Sequence, residues 1–282
     1  MTLALAAASS SLLLTGCSPL NPPPSEVNTA ATTLAEAAQE IPGVNAVTTD
    51  IREVEIKDQV VRDVWEITVR VDAESPDTIE TLQNDLGAAF SPADLGAATL
   101  NLRLNFPATD SGASVSLRQL DDYAAAAAAS MRTVHGITSV SQSEFDTGLD
   151  LMATPRLDVH EAVSSARQLG IPHLPEDAVV ATTWVATRDL PDTTVVATAD
   201  WPSSGLLDAI STLREDPTVT SISAAPPSEH TVYPRITIES TDPATAVATL
   251  QAVSEPRSDF YPTRFEITSP DGTGTSGELT ND

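Results

Sequence analysis

Apolar and polar residues alternate through this chain in short runs. Trp65, Ile67, Val69 and Val71 alternate with Val64, Glu66, Thr68 and Arg70, the period of a strand buried on one side. Leu100, Leu102, Leu104 and Phe106 repeat that period, as do Ile236 with Ile238 and Phe265 with Ile267. Leu149 with Leu151, residues 179–185 and residues 193–199 read as further strands. Helical spacing lies between them. Ser75, Pro76, Asp77 and Thr78 cap a stripe of Ile79, Leu82, Leu86 and Phe90. Thr241, Asp242 and Pro243 precede Val247, Leu250 and Val253. Asp158, Val159, His160 and Glu161 form a capping box ahead of Val163 and Ala166. Leu117, Leu120, Ala124, Ala127, Met131 and Val134 predict a helix over 117–134, thinned by alanines at 124–129. Its alanine face is expected to pack on the chain's own sheet; a docked partner helix is the alternative.

A helix that turns into a strand occurs three times, at 41–47, 134–140 and 216–222. Aligning Val44, Ile137 and Val219 gives spacings of 93 and 82 residues. Each is followed by a second strand and a capped helix. The expected fold is therefore α+β: three consecutive ferredoxin-like modules, each an antiparallel sheet with two helices on one face. The modules are expected over 27–116, 117–192 and 193–268, with 269–282 as a disordered tail. The turn Pro42, Gly43, Val44, Asn45, Ala46, Val47, with the strand pair and helix after it, resembles heavy-metal-associated domains and, more faintly, BON domains. The resemblance implies topology alone. The metal-associated family binds through a CxxC pair, and this sequence has none, so no metal is expected.

Charge narrows the function classes. The 282 residues hold 40 Asp and Glu against 14 Lys and Arg, a formal net charge of −26. Such a chain lacks the basic surface that nucleic acid requires, and no nucleic-acid partner is expected. Lys57 is the one lysine and stands in no phosphate-loop, SxxK or Schiff-base context. No cofactor is expected.

The N-terminus is an uncharged, mostly apolar run of secretory length ending in Leu14, Thr15, Gly16 and Cys17. These four residues resemble the lipobox of bacterial lipoproteins. The resemblance implies a signal peptide over 1–16, cleavage after Gly16, and lipidation of Cys17, the one cysteine in the chain. Residues 17–26 follow as the lipidated cysteine and a Pro-rich tether. No basic residue precedes Arg52, so a start further upstream is expected. Two acyl chains suffice for stable anchoring. The chain is then expected at the extracytoplasmic face of the cell membrane, as a non-enzymatic binding or scaffold module for an unidentified envelope protein. A surface hydrolase with a site assembled across modules is the alternative.

Candidate chemistry is sparse. His135, His160, His173 and His230 include no pair at helical ligand spacing, and His160-Glu161 fails to become HExxH because Ser164 holds the closing position. The four histidines are expected to lie apart and exposed. No nucleophile elbow occurs, since the run from Gly112 ends at Ser116. The acidic pairs Glu53/Glu55, Asp121/Asp122 and Glu176/Asp177 read as solvated surface; no calcium-loop spacing surrounds them. The lipobox makes one sharp prediction. Cys17→Ala is expected to leave an uncleaved precursor or release the protein from membranes, read by fractionation and gel migration. A variant that fractionates and migrates like the wild type overturns the assignment.

Overall fold

The computed structural model describes residues 22–54, 64–91, 93–118, 122–143, 148–228, 231–253 and 261–279. Cys17, Lys57 and His230 lie outside them. The chain begins with α1 (Ser25–Gln39), β1 (Val44–Glu53), β2 (Trp65–Ala73), α2 (Ile79–Phe90), β3 (Ala98–Phe106) and β4 (Ser114–Leu117). The same order returns as α3 (Asp122–Met131), β5 (Ile137–Gln142), β6 (Leu149–Ala153), α4 (Val159–Ser165), β7 (Val180–Trp184) and β8 (Asp192–Ala197). It returns again as α5 (Ser204–Glu215), β9 (Val219–Ala225), β10 (Arg235–Ser240), α6 (Pro243–Gln251), β11 (Arg264–Thr268) and β12 (Gly274–Glu278).

All twelve strands join one mixed sheet in chain order, from β1 at one edge to β12 at the other. The fold is α+β, as expected, but the expectation of antiparallel sheets needs correction. Strands joined by a loop pair antiparallel, from β1·β2 to β11·β12. Strands joined through a helix pair parallel, as β2·β3, β4·β5, β6·β7, β8·β9 and β10·β11. A helix returns the chain to its starting end, so the next strand must run the same way. The strand order is sequential rather than ferredoxin-like, and the sheet is continuous across the expected boundaries. The 192/193 boundary falls inside β8, which pairs with β7 on one side and β9 on the other.

The helices share one face. Neighbours α1 and α2, α2 and α3, α4 and α5, and α5 and α6 touch, and α3 meets the turn that extends α4. Beneath them lie the alternate side chains legible in the sequence, among them Trp65, Ile67, Val69, Leu102, Leu104, Val140, Leu151, Ile236 and Ile267, all buried. This arrangement has a geometric corollary. Successive helical crossovers start from strands running in opposite directions, yet each advances the sheet the same way. The crossovers through α2, α4 and α6 therefore have one hand, and those through α3 and α5 have the other. Crossovers of one hand, the right, dominate in most sheets because strand twist favours them.

The threefold repeat extends to backbone detail. Val44, Ile137 and Val219 each donate their N–H to the carbonyl three residues back, at 3.1 to 3.2 Å. Glu74 N–H donates to Gly43 O, Thr154 to Gly136 and Thr241 to Thr218, at 2.7 to 2.8 Å. A register shift follows at the same place in each hairpin, after Val44, after Ile137 and opposite Val219. Gly43 and Gly136 both adopt φ of 90°, where a side chain is strained. The third copy has Thr218 instead, and the Asp216 carboxylate fixes its turn by accepting from Thr218 N and Oγ1 at 2.8 and 2.7 Å.

Two sequence expectations are corrected by packing. Leu117 belongs to β4, and the alanine-rich helix is α3, which begins at Asp122. Ala124, Ala125, Ala127 and Ala128 are buried within the protein, so its own sheet and neighbours occupy the alanine face. The tail is not uniformly disordered. Residues 274–278 form β12, and Leu279 beyond it is buried. The ladder to β11 is made by backbone groups, which polar and glycine side chains leave free to pair.

Buried arginines join the repeats. Arg132 and Arg214 each stand five residues before the first strand of their unit. Arg132 reaches back to Thr109 Oγ1 at 3.0 Å and Asp77 at 3.9 Å. Arg214 reaches back to Pro155 O at 2.8 Å and Leu157 O at 3.5 Å, 5.2 Å from the centroid of Trp184. Trp184 Nε1 donates to the same Leu157 carbonyl at 2.9 Å. Burial pulls the Arg214 guanidinium below its ordinary range, while Asp158 and Glu215 oppose that shift. In the first unit exposed Gln39 holds the matching position. Arg214→Ala is expected to cost about 2–3 kcal/mol, because charge-assisted bonds and a stacked face are lost together. Gln39→Ala is expected to stay within about 0.5 kcal/mol. Urea denaturation of both variants checks the contrast.

A second prediction concerns α6. Asp242 accepts from Thr245 Oγ1 at 2.7 Å and Thr245 N at 3.3 Å, and these bonds hold its carboxyl below the ordinary carboxylate range. A lowered folded pKa contributes stability that is present above the unfolded value and lost as pH falls through the folded one. Asp242→Asn keeps the cap and removes the charge. It is expected to reduce the pH dependence of stability below about pH 4, measured by denaturant midpoints.

Candidate functional site: the helix-free face of the sheet

One layer of helices covers a two-sided sheet, so the other side of the sheet carries no helix among the described residues. Strand alternation decides what faces outward there. Across β1 to β4 the outward positions are Thr48, Asp50 and Arg52, then Glu66, Thr68, Arg70 and Asp72, then Thr99, Asn101, Arg103 and Asn105, then Ser114 and Ser116. Across β5 to β9 they include Ser139, Ser141, Asp150, Thr183, Thr194, Ser221 and Ser223. The face is polar over most of its width, interrupted by Ala46, Met152, Ala181, Val196 and Ala225.

Side chains on this face bond across strands. Arg52 pairs with Glu66 at 2.8 Å, Asn105 donates to Asp72 at 2.8 Å, and Ser116 donates to Asn105 at 3.1 Å. Thr183 and Thr194 share a hydroxyl contact of 3.1 Å. At the far end Arg235 pairs with Glu266, and Arg264 pairs with Glu278 at 3.1 Å while lying 4.2 Å from the Tyr233 ring centroid. Such ladders hold side chains in fixed rows, an arrangement suited to presenting hydrogen-bond donors and acceptors to a flat partner.

The histidines give no comparable assembly. His135 and His173 are exposed in turns, and His230 lies outside the described residues. His160, in the first turn of α4, places Nε2 2.8 Å from Asp208 Oδ1 on α5. Sequence reading missed this His–carboxylate pair because 48 residues separate its members. It lies on the helix side, with Asp208 largely exposed, and His160 hydrogen-bonds no serine among the described residues. Glu53 closes β1, Asp122 opens α3 and accepts from Gln83 at 3.0 Å, and Glu176 and Asp177 are exposed; Glu55 and Asp121 lie outside the described residues. Among the described residues no group of three or more His, Cys, Asp or Glu side chains is placed to hold a metal ion. A concavity beside α1 is lined by Ser25, Glu26, Thr29, Thr33, Asp94 and Gly96, and its charged groups are both acidic. No described helix is long and apolar enough to cross a membrane.

No family model matches this chain, and no curated protein or solved structure matches it.

Proposed function

We propose that this protein is a lipid-anchored binding or scaffold module of the bacterial cell envelope, held outside the membrane through Cys17. Three copies of one helix–strand–strand–helix–strand–strand unit, fused edge to edge, build its body. Its working surface is the helix-free face of the sheet. The observation that carries this reading is the polar row of cross-strand side chains on a face that no described helix covers. The short apolar leader and Pro-rich tether of the sequence support an anchored position. The hydrolase alternative draws no support from His160, whose carboxylate partner comes without a serine.

Photo-crosslinking in envelope preparations tests the surface. A crosslinking residue at Thr183, on the open face, is expected to give discrete adducts with envelope components. The same residue at Thr212, exposed on α5, is expected to give none. Equal labelling from both positions, or labelling from α5 alone, overturns the assignment of the binding face.

A further inference from the structure

Five arginines stand in strands among the described residues: Arg52, Arg70, Arg103, Arg235 and Arg264. All five project from the helix-free face. Arg52, Arg235 and Arg264 each pair with a glutamate. Among the described residues Arg70 and Arg103 make no ion pair, although acidic residues outnumber basic ones almost three to one in this chain. The two are register partners on the parallel strands β2 and β3, so they stand side by side. Neighbouring strands are about 4.8 Å apart, which brings both guanidinium groups within reach of one small anion.

Like charges in register destabilise a sheet, so the pair is a cost to folding that the ladders elsewhere on the face avoid. Arg103 adds a second sign. Its Nε is buried and has no hydrogen-bond partner among the described residues. The other strand atom in that condition, Trp65 Nε1, belongs to the helix side. Arg132 and Arg214 also bury an unpartnered Nε, but their terminal nitrogens hold protein oxygens, whereas among the described residues those of Arg103 hold none and are the groups left for an oxyanion.

We propose that Arg70 and Arg103 form a binding site for a phosphate group on the open face of the first unit. The proposal deepens the reading of that face as a binding surface and rests on it. Two guanidinium forks supply charge +2 and planar donor sets, which match the charge and multiple acceptor oxygens of a phosphate better than those of a single carboxylate. Thr48, the register partner of Arg70 on β1, and Asn101, two residues before Arg103 on β3, border the pair with a hydroxyl and an amide. The carboxylates facing the same area are Asp50, diagonal to Arg70, Asp72, which is engaged by Asn105, and Glu66, which accepts from Arg52 and Asn101. These flanking charges restrict the site to one phosphate at a time and repel a continuous polyanion. Arg118 follows β4 nearby, with its backbone N–H donated to Gln142 Oε1 at 3.0 Å.

Calorimetric titration of the full chain at neutral pH tests the site, with inorganic phosphate and glycerophosphoglycerol as separate probes. Saturable binding of one equivalent is expected for at least one probe. Binding of inorganic phosphate alone identifies free phosphate or monoesters as the source; binding of the diester identifies envelope phosphodiesters. Arg70→Gln, at an exposed position with no folding risk, is expected to weaken binding about tenfold or more. Arg103→Lys retains charge without the fork and is expected to weaken it too. Arg188→Gln, in an exposed loop, is expected to bind like the wild type. Absence of saturable binding for both probes overturns the proposal, as does wild-type affinity in Arg70→Gln. Because purified protein is titrated without envelope material, loss of this site with Thr183 crosslinks intact sinks the phosphate site alone. Loss of those crosslinks with phosphate binding intact sinks the wider surface instead.

Discussion

Every new strand in this fold finds its hydrogen bonds on the edge left by the strand before it. That single constraint, applied eleven times in one direction, determines the rest. Loops between strands give antiparallel neighbours, helices give parallel ones, and the sheet grows without a strand ever being inserted between earlier ones. Alternate side chains must then face the same way throughout, so one face gathers the apolar residues and the helices. The opposite face is left to Ser, Thr, Asn and charged residues. The candidate binding surface is thus a by-product of one-sided covering, and the cross-strand ladders on it follow from register.

Packing between repeats is handled by a different device from packing within them. Within a unit, apolar residues such as Ile79, Leu82 and Leu86 press α2 onto the strands. Between units the parallel seams are short: β4·β5 aligns three residue pairs and β8·β9 four. Arg132 and Arg214 span the same junctions from the helix layer, and Arg167 adds bonds to Thr198 O and Pro202 O at 3.1 and 2.8 Å. Long side chains with several donors suit such junctions, because they reach hydroxyl, carboxylate and carbonyl oxygens in the loops on either side of the seam.

Much of this was legible in the residues. The period-two runs at Trp65 to Val71 and Leu100 to Phe106 marked strands because burial on one side imposes alternation. Helix starts at Ser75, Asp158 and Asp242 were legible because side-chain oxygens cap orphan amides. The parallel pairing was not, since a half-buried strand alternates identically beside either kind of neighbour. Leu117 fitted a helical stripe by spacing but sits in β4, and β12 has almost no apolar residue to announce it. The lone pair of Arg70 and Arg103 becomes visible only when register sets residues 33 positions apart side by side.

The alternating hand of the crossovers bears on how such a chain arises. The α2, α4 and α6 crossovers lie inside units and share one hand, whereas those through α3 and α5 join units and have the other. A duplicated gene segment encoding one six-element unit reproduces its internal crossover each time, while the junction is new and must accept whatever hand brings its first strand to the waiting edge. Copy number is then a quantity that tandem duplication or deletion can change in whole steps. The arginine five residues before each joining strand, replaced by Gln39 in the first unit, reaches the preceding unit at both junctions.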